Sequence, residues 1–350
     1  MRTLIALSAA TAAASFAALA AAPAEEPSFV PVFSEDFADP HVVEHKGEFL
    51  AYATNPPGAV ANVQIASSRD LVNWQSVRDS ANPKKPHDAM PELGAWAKEG
   101  WTWAPEVIRI GERWLLYYTA KDRKSDLQCL GVATASDPRG PFRDPSAEPL
   151  VCQRALGGTI DANAFRDKDG SLYLYYKNDG NNPRVRKPTH IWGQRLSPDG
   201  TALVGEPVAL LKNDTGWEAH VIEAPSMART ASGYSMLFSA NHFGWEKHQR
   251  LSPYAMGYAT CKTPLGPCTD ASDNPILYSY NDRKLGCLSG PGHQTIFEAR
   301  GRSFIAFHAW AATAGCRPLD PKRYLYIAPL GWNGGKPVIA PSLRPAKGKP

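Results

Sequence analysis

Short runs of alternating hydrophobic and polar residues recur along almost the whole chain. Five of these runs begin with a glycine and continue as aromatic-rich stretches, at residues 47–54, 111–119, 170–178, 233–241 and 301–310. The starting glycines are separated by 64, 59, 63 and 68 residues. Runs that start at a turn glycine and are rich in aromatic and β-branched residues predict half-buried β-strands.

Each aromatic-rich run follows another short apolar run, and in most repeats a second predicted hairpin comes after it. Four strands per unit and five units predict an all-β fold, a five-bladed β-propeller with four antiparallel strands per blade. The connections carry prolines and glycines rather than helical patterns, which argues against alternating strands and helices. No linker divides the repeats, so we expect one domain over residues 33–340 and a tail over 341–350.

The first 22 residues have the composition of an export signal. Arg2 precedes an uncharged run from Thr3 to Ala22 that ends in alanines. This pattern predicts a signal peptide over residues 1–22, with a membrane anchor as the alternative. We therefore expect an exported protein, periplasmic or extracellular, whose mature form is not in the membrane.

All six cysteines lie beyond this segment. An exported protein meets oxidising conditions, and an even number of cysteines then favours disulfides. Order along the chain favours Cys129–Cys152, Cys261–Cys268 and Cys287–Cys316, although other connectivities stay open. The irregular spacing, without two matching CxxC pairs, argues against zinc.

Charge excludes some partners without identifying one. The chain has 38 basic and 34 acidic residues, a formal net charge of +4. This balance is too even to indicate a nucleic-acid footprint or a polybasic membrane patch. We expect no nucleic-acid partner, and we expect a monomer.

The repeat brings polar residues to one end of the predicted propeller axis. Side chains just ahead of the first strand of each blade converge there. Counting back eight, eight, nine, ten and eight residues from the five glycines gives Asp39, Trp103, Asp161, Glu223 and His293. Each has an ordinary structural explanation as a turn, cap, packed or surface residue. Three carboxylates at one mouth, however, repel each other unless a function or a cation compensates.

Glycoside hydrolysis requires two carboxyl groups that face each other across a pocket. One protonated acid serves the leaving oxygen, and one ionised carboxylate activates water or attacks the sugar. A third carboxylate near the acid raises the pKa of that acid by repulsion and holds it in position. The sequence therefore predicts a carbohydrate-cleaving site.

Five short motifs open the blades in order. They are FADPHVV (37–43), TWAPEVI (102–108), GTIDANAF (158–165), IEAPSM (222–227) and GPGHQTIF (290–297). In order and spacing they resemble glycoside hydrolase family 43, the inverting arabinanase, arabinofuranosidase and xylosidase family built on a five-bladed propeller. The resemblance covers roughly Phe33 to Ile339.

The resemblance implies catalytic roles for the three acids. Asp39 matches the general base, Glu223 the general acid, and Asp161 the residue that tunes and orients the acid. Glu35 and Asp36 are nearby alternatives for the base, but they lie outside the repeat register.

The resemblance also implies binding residues. Trp103 matches the aromatic wall of a sugar subsite. Arg323 matches an arginine that reaches a sugar hydroxyl, with a solvated surface arginine as the alternative. His293 matches an axial histidine that holds a structural calcium together with waters. No organic cofactor is expected.

Three functions are compatible with the sequence. The first is an inverting hydrolase of α-L-arabinofuranosyl linkages in pentose-containing oligosaccharides or polysaccharides such as arabinan or arabinoxylan. The second is a β-xylosidase or mixed pentosidase with the same acids. The third is a non-catalytic carbohydrate-binding propeller, which would usually have lost at least one acid. Retention of all three acids favours an enzyme.

Overall fold

The computed structural model describes residues 29–55, 58, 61–245, 250–313 and 315–344. The predicted signal peptide and residues 345–350 of the predicted tail lie outside these ranges. Within them the fold is all-β, with two short 3-10 turns at Arg154–Leu156 and Gly216–Glu218. These residues form no helix long and apolar enough to cross a membrane.

Five antiparallel sheets follow one another along the chain as the blades of a propeller. Blade 1 contains β1 (His41–His45), β2 (Glu48–Ala53), β3 (Gln64–Ser68) and β4 (Trp74–Ser76). Blade 2 contains β5 (Ala97–Ile110), β6 (Arg113–Asp122) and β7 (Gln128–Ala135). Blade 3 contains β8 (Thr159–Arg166), β9 (Leu172–Asn178), β10 (His190–Leu196) and β11 (Leu203–Lys212).

Blade 4 contains β12 (Ile222–Thr230), β13 (Gly233–Ala240), β14 (Ala255–Cys261) and β15 (Cys268–Asp270). A small hairpin of β16 (Tyr280–Asp282) and β17 (Gly286–Leu288) comes next. Blade 5 contains β18 (Gly292–Ala299), β19 (Arg302–Ala312), β20 (Pro318–Asn333) and β21 (Lys336–Ile339). The predicted five-bladed propeller is confirmed.

Blade 2 departs from the predicted four strands. Its sheet has three strands, and two isolated antiparallel bridges, Thr134–Arg143 and Leu130–Val151, stand where a fourth would pair. Pro145 and Pro149 lie between Arg143 and Val151, in the segment that would form this strand. Proline has no backbone N–H to donate, so the segment cannot continue a regular ladder.

The five repeat glycines have the turn role that the sequence predicts. Gly47, Gly111, Gly170, Gly233 and Gly301 all have positive φ, between 60° and 124°. An L-residue rarely adopts this conformation, and glycine adopts it without steric cost. The turn glycines therefore set the boundary between the first and second strands of every blade.

The ring closes where blade 5 meets the start of the chain. Phe33 forms an antiparallel bridge with Leu325 of β20. Phe49 of blade 1 packs in the same buried cluster as Phe297 and Phe304 of blade 5. Pairing and apolar packing thus join the two ends and fix the blades around one axis.

Three disulfides join Cys129 to Cys152, Cys261 to Cys268, and Cys287 to Cys316. This is the predicted pairing, and no free cysteine remains. Each bond closes a short loop, which restricts the unfolded chain and so stabilises the fold.

Candidate active site

One residue near the start of each blade has a left-handed backbone. These residues are Asp39, Ala104, Asp161, Ala224 and His293, with φ between 43° and 60°. Strand pairing is interrupted at this point in blades 2 to 5. The predicted register is therefore correct for the two aspartates and the histidine, whereas Trp103 and Glu223 lie one residue before the equivalent position.

All six predicted site residues line one cavity of about 530 Å³ at this end of the axis. They are Asp39, Trp103, Asp161, Glu223, His293 and Arg323. Three acids were considered for the base. Among the described residues, Asp39 lines the cavity, whereas Glu35 and Asp36 do not. Glu35 accepts a hydrogen bond from the Ser76 hydroxyl, 2.8 Å away. Asp36 accepts one from the backbone N–H of Arg323, 2.9 Å away.

Asp39 is held as a carboxylate by the groups around it. Its Oδ1 lies 3.2 Å from Nη1 of Arg323 and 3.1 Å from Nδ1 of His293. Its Oδ2 accepts a hydrogen bond from the Thr54 hydroxyl. Burial raises the pKa of Asp39, but the charges of His293 and Arg323 outweigh it and hold this pKa well below its usual range. An ionised carboxylate is what a general base requires.

The neutral ring of His308 holds the backbone of Asp39. The backbone N–H of Asp39 donates to Nδ1 of His308 at 3.0 Å. Burial lowers the pKa of His308 to about 4. The ring therefore accepts through Nδ1, which orients the backbone that carries the base.

Asp161 and Glu223 form a close acidic pair. Together with His293, they offer polar atoms that all lie within 4.8 Å of one another. Oδ2 of Asp161 accepts a hydrogen bond from the backbone N–H of Ala224, 3.1 Å away. Burial and the charge of Glu223 raise the pKa of Asp161 to about 6. The pair therefore holds a proton in weakly acidic solution.

Glu223 is bound by two donors. The Tyr254 hydroxyl donates to Oε1 at 2.7 Å, and Nζ of Lys177 donates to Oε2 at 3.1 Å. Burial raises the pKa of Glu223, but the charges of Lys177 and His293 and these hydrogen bonds lower it below its usual value. The sequence predicts that Asp161 raises the pKa of Glu223. The structure differs because the buried ammonium group of Lys177 outweighs that repulsion, so the pKa of Glu223 is lowered and that of Asp161 is raised.

Lys177 breaks a hydrogen-bond pattern that the other four blades share. In each of those blades, one side chain of the second strand, or just after it, lies at the same position. It accepts a hydrogen bond from the backbone N–H of the left-handed residue in the next blade. The strands concerned are β2, β6, β13 and β19. The four acceptors are Thr54, Thr119, Ser239 and His308, at 2.8 to 3.4 Å.

In blade 3 this position, opposite Ile160, is Lys177. An ammonium group cannot accept a hydrogen bond. Asp161 binds the N–H of Ala224 in its place. With lysine at this position, Nζ of Lys177 contacts Glu223. The bond from the N–H of Ala224 holds Asp161 beside Glu223.

The sequence-based prediction of the site missed Lys177, Tyr254, Thr54 and His308. Lys177 gave a signal that could have been used, because it is a charged residue inside the aromatic-rich strand β9. Its side chain is fully buried, and Nζ also donates to Oδ1 of Asn181 at 2.7 Å. A buried lysine requires charged or polar partners, so its position pointed to an acid nearby.

The two predicted binding residues have different surroundings. The guanidinium of Arg323 lies over the rings of Phe243 and Trp310, at 5.4 and 5.6 Å, besides contacting Asp39. It is therefore part of the site and not a solvated surface arginine. Trp103 is half-buried beside Trp101, with ring centroids 6.2 Å apart. Both tryptophans line the cavity and offer apolar faces to a ligand.

The protein atoms around His293 fit calcium poorly. Calcium takes about six to eight oxygen ligands. Here His293 contributes a nitrogen, and both oxygens of Glu223 already accept hydrogen bonds. The ammonium group of Lys177 also repels a cation at Glu223. The predicted calcium, held by His293 and waters, stays a prediction, and no catalytic step depends on it.

Comparisons with known proteins identify the family of this chain. The family model described as Glycosyl hydrolases family 43 matches residues 30–337. A crystal structure of a thermostable family-43 glycoside hydrolase is similar, with a TM-score of 0.73 and 28% identity over 91% of this chain and 98% of that chain.

Two related proteins of Bacillus subtilis (strain 168) show the same likeness in sequence. The chain is 23% identical to an extracellular endo-alpha-(1->5)-L-arabinanase 2, over 87% of this chain and 70% of that protein. It is 26% identical to an arabinoxylan arabinofuranohydrolase, over 78% of this chain and 55% of that protein. The chain thus spans little more than half the length of the second relative. Because the family model matches most of the 350 residues, this chain belongs to glycosyl hydrolases family 43.

Proposed function

We propose that the protein is an exported, inverting glycoside hydrolase that cleaves α-L-arabinofuranosyl linkages in arabinan or arabinoxylan-type plant cell-wall polysaccharides or oligosaccharides. The observation that carries this proposal is the contrast between two acidic centres in one cavity. Asp39 is held ionised, whereas the Asp161–Glu223 pair holds a proton. Two carboxyl centres whose pKa values are pushed apart are the arrangement that acid–base hydrolysis requires.

The reaction assigns one proton transfer to each centre. Asp39 accepts a proton from a water molecule as the water oxygen bonds to the anomeric carbon. The proton held by the Asp161–Glu223 pair passes to Glu223, which donates it to the glycosidic oxygen as the bond from that oxygen to the anomeric carbon breaks. Asp161 positions the acid through its bond to the backbone N–H of Ala224. Exchange with solvent then returns both groups to their starting states.

Supporting contacts define where the sugar lies. Arg323 contacts Asp39, so its guanidinium is within reach of a hydroxyl of a sugar bound at the base. Trp103 supplies an apolar wall in the same cavity. The arabinose specificity rests on the two relatives that act on arabinan and arabinoxylan. Export rests on the predicted signal peptide and on relatives named extracellular.

Initial rates on aryl α-L-arabinofuranoside and aryl β-D-xyloside test the proposal. We expect the arabinofuranoside to be hydrolysed faster. A faster xyloside would favour the β-xylosidase alternative. Binding of pentose oligosaccharides without hydrolysis of either compound would favour a non-catalytic propeller.

The stereochemistry of the product is the next prediction. Direct attack by water activated by Asp39 inverts the anomeric carbon. Proton NMR during hydrolysis of an α-L-arabinofuranoside should therefore show the β anomer first, with the α anomer growing only by mutarotation. Early accumulation of the α anomer would contradict the base role of Asp39.

Replacing Lys177 with Met should move the alkaline limb of the pH profile of kcat/KM. Glu223 must be protonated to act, so the rate falls as the pH rises through the pKa of the acidic pair. Lys177 lowers the pKa of Glu223. An opposite charge at this range shifts a pKa by about one to three units, so its removal should move the limb about one pH unit higher.

Lys336→Met is the matched control, because Lys336 pairs with Asp273 outside the cavity. It should leave the limb in place. Thermal unfolding of both variants checks that the fold is retained. An unchanged or lower limb in a folded Lys177→Met protein would contradict the role assigned to the lysine.

A further inference from the structure

Two segments that contribute residues to the cavity wall are rich in basic residues. The turn at 121–126 and the loop at 180–188 contain six basic residues and two acidic ones, an excess of four positive charges. The whole chain has a formal net charge of +4. Lys121 and Arg184 are the two of these six that are among the cavity-lining residues, and Lys124 is paired with Glu148.

Three basic side chains, two from these segments and Lys98 from β5, share a single carboxylate. Asp126 lies 2.9 Å from Nζ of Lys98, 2.9 Å from Nη1 of Arg184 and 3.7 Å from Nζ of Lys121. The other acid of the turn, Asp122, is fully buried and is bound by Arg154 and by backbone N–H groups. Two positive charges around Asp126 are therefore left without a matching negative charge in this cluster.

An aromatic face lies beside this cluster. Nζ of Lys121 is 3.9 Å from the ring centroid of Trp101, and this residue is 44% exposed. Trp101, Lys121, Asp126 and Arg184 all line the cavity that contains the three acids. An indole face packs against sugar C–H groups, and a guanidinium binds a carboxylate with two parallel hydrogen bonds.

Stability does not explain the cluster. Exposed ion pairs contribute about 0–1 kcal/mol, and like charges held around one carboxylate repel each other. A neutral sugar would need no such charge. A second carboxylate, brought by the substrate, would complete the cluster.

The position of the loop indicates which part of the substrate carries that carboxylate. Lys177 contacts Glu223 and also donates to Asn181 at 2.7 Å, three residues before Arg184. The basic loop therefore adjoins the proposed general acid. The general acid protonates the oxygen of the departing group, so the loop lies on the leaving-group side.

We propose that Arg184, Lys121 and Trp101 form a subsite for an acidic sugar, a uronic acid in the leaving portion of the substrate. This inference rests on the proposed function and narrows its substrate class. The protein would act where an arabinofuranosyl group is attached to, or next to, a uronic acid. Arg184, which is 65% exposed, is free to turn from Asp126 toward the ligand carboxylate.

A matched pair of substrates tests this proposal. One is an arabinofuranosyl oligosaccharide with a uronic acid next to the scissile linkage, and the other is the same compound after chemical reduction of its carboxyl group. We expect kcat/KM to favour the acidic compound about tenfold at low ionic strength, and less in about 0.15 M salt, where charges are screened beyond about 8 Å.

Arg184→Gln should bring this ratio close to one, and Arg184→Glu should invert it. Arg113→Gln is the matched control, because Arg113 lies at the start of β6 and Lys121 near its other end. The control should keep the ratio. A ratio near one in the wild-type protein, or a ratio that Arg184→Glu leaves unchanged, would overturn the acidic-sugar subsite. If the protein hydrolysed neither compound and did not hydrolyse aryl arabinofuranoside, that result would contradict the proposed function instead.

Discussion

Replacing Glu223 with Gln should lower kcat on arabinan oligosaccharides about a thousandfold. The amide keeps the shape of the side chain and can still contact Tyr254 and Lys177, but it has no proton to give to the leaving oxygen. General acid catalysis contributes about 10² to 10⁴ in rate. The size of the loss should depend on the leaving group. A dinitrophenyl arabinofuranoside departs without protonation and should lose far less.

Glu206→Gln controls for the loss of a negative charge, because Glu206 is an exposed residue of β11. Its rate should stay within about twofold of the wild-type rate. If Glu223→Gln slowed both substrates equally, Glu223 would not be the proton donor. Circular dichroism and thermal unfolding establish that both variants are folded.

Replacing Asp39 with Asn should cause a loss of similar size, about a thousandfold, but for every leaving group. The base acts on water, so its removal slows attack on the anomeric carbon whatever group departs. Asp39 also holds Arg323 and His293 through its carboxylate. We therefore expect KM to rise as well, which steady-state kinetics on the aryl and natural substrates measures.

Glu35→Gln is the informative control for this variant. Glu35 is one of the two alternatives for the base, and its carboxylate contacts Ser76. We expect it to keep its activity within about twofold. A large loss in Glu35→Gln, with little loss in Asp39→Asn, would move the base role to the alternative residue.

Local signals were sufficient for the fold. The five turn glycines need positive φ, and that requirement marks the start of the second strand in every blade. Aromatic alternation after each glycine identifies the buried strands. Blade 2 could not be predicted fully, because two prolines remove the donors that a fourth strand needs, and a count of repeats does not register that loss.

The repeat register located most of the predicted site residues, and the family resemblance added Arg323. Asp39, Asp161 and His293 occupy the same left-handed position in their blades, so register alone finds them. The protonation of the acidic pair depends on a contact between Lys177 of β9 and Glu223 of β12. Packing between blades creates that contact. No spacing along the chain relates these two residues, so the contact could not be derived, and the predicted direction of the pKa shift of Glu223 is opposite to that in the structure.

The most direct test of the central claim is an overnight digest with the purified mature protein and its Glu223→Gln variant. Debranched arabinan, arabinoxylan and xylo-oligosaccharides are the substrates, and chromatography resolves the released sugars. The account predicts arabinose or arabino-oligosaccharides from the wild-type protein alone, with product length separating action at chain ends from action within chains. Equal release by the variant, release of xylose alone, or no release from any substrate would contradict it.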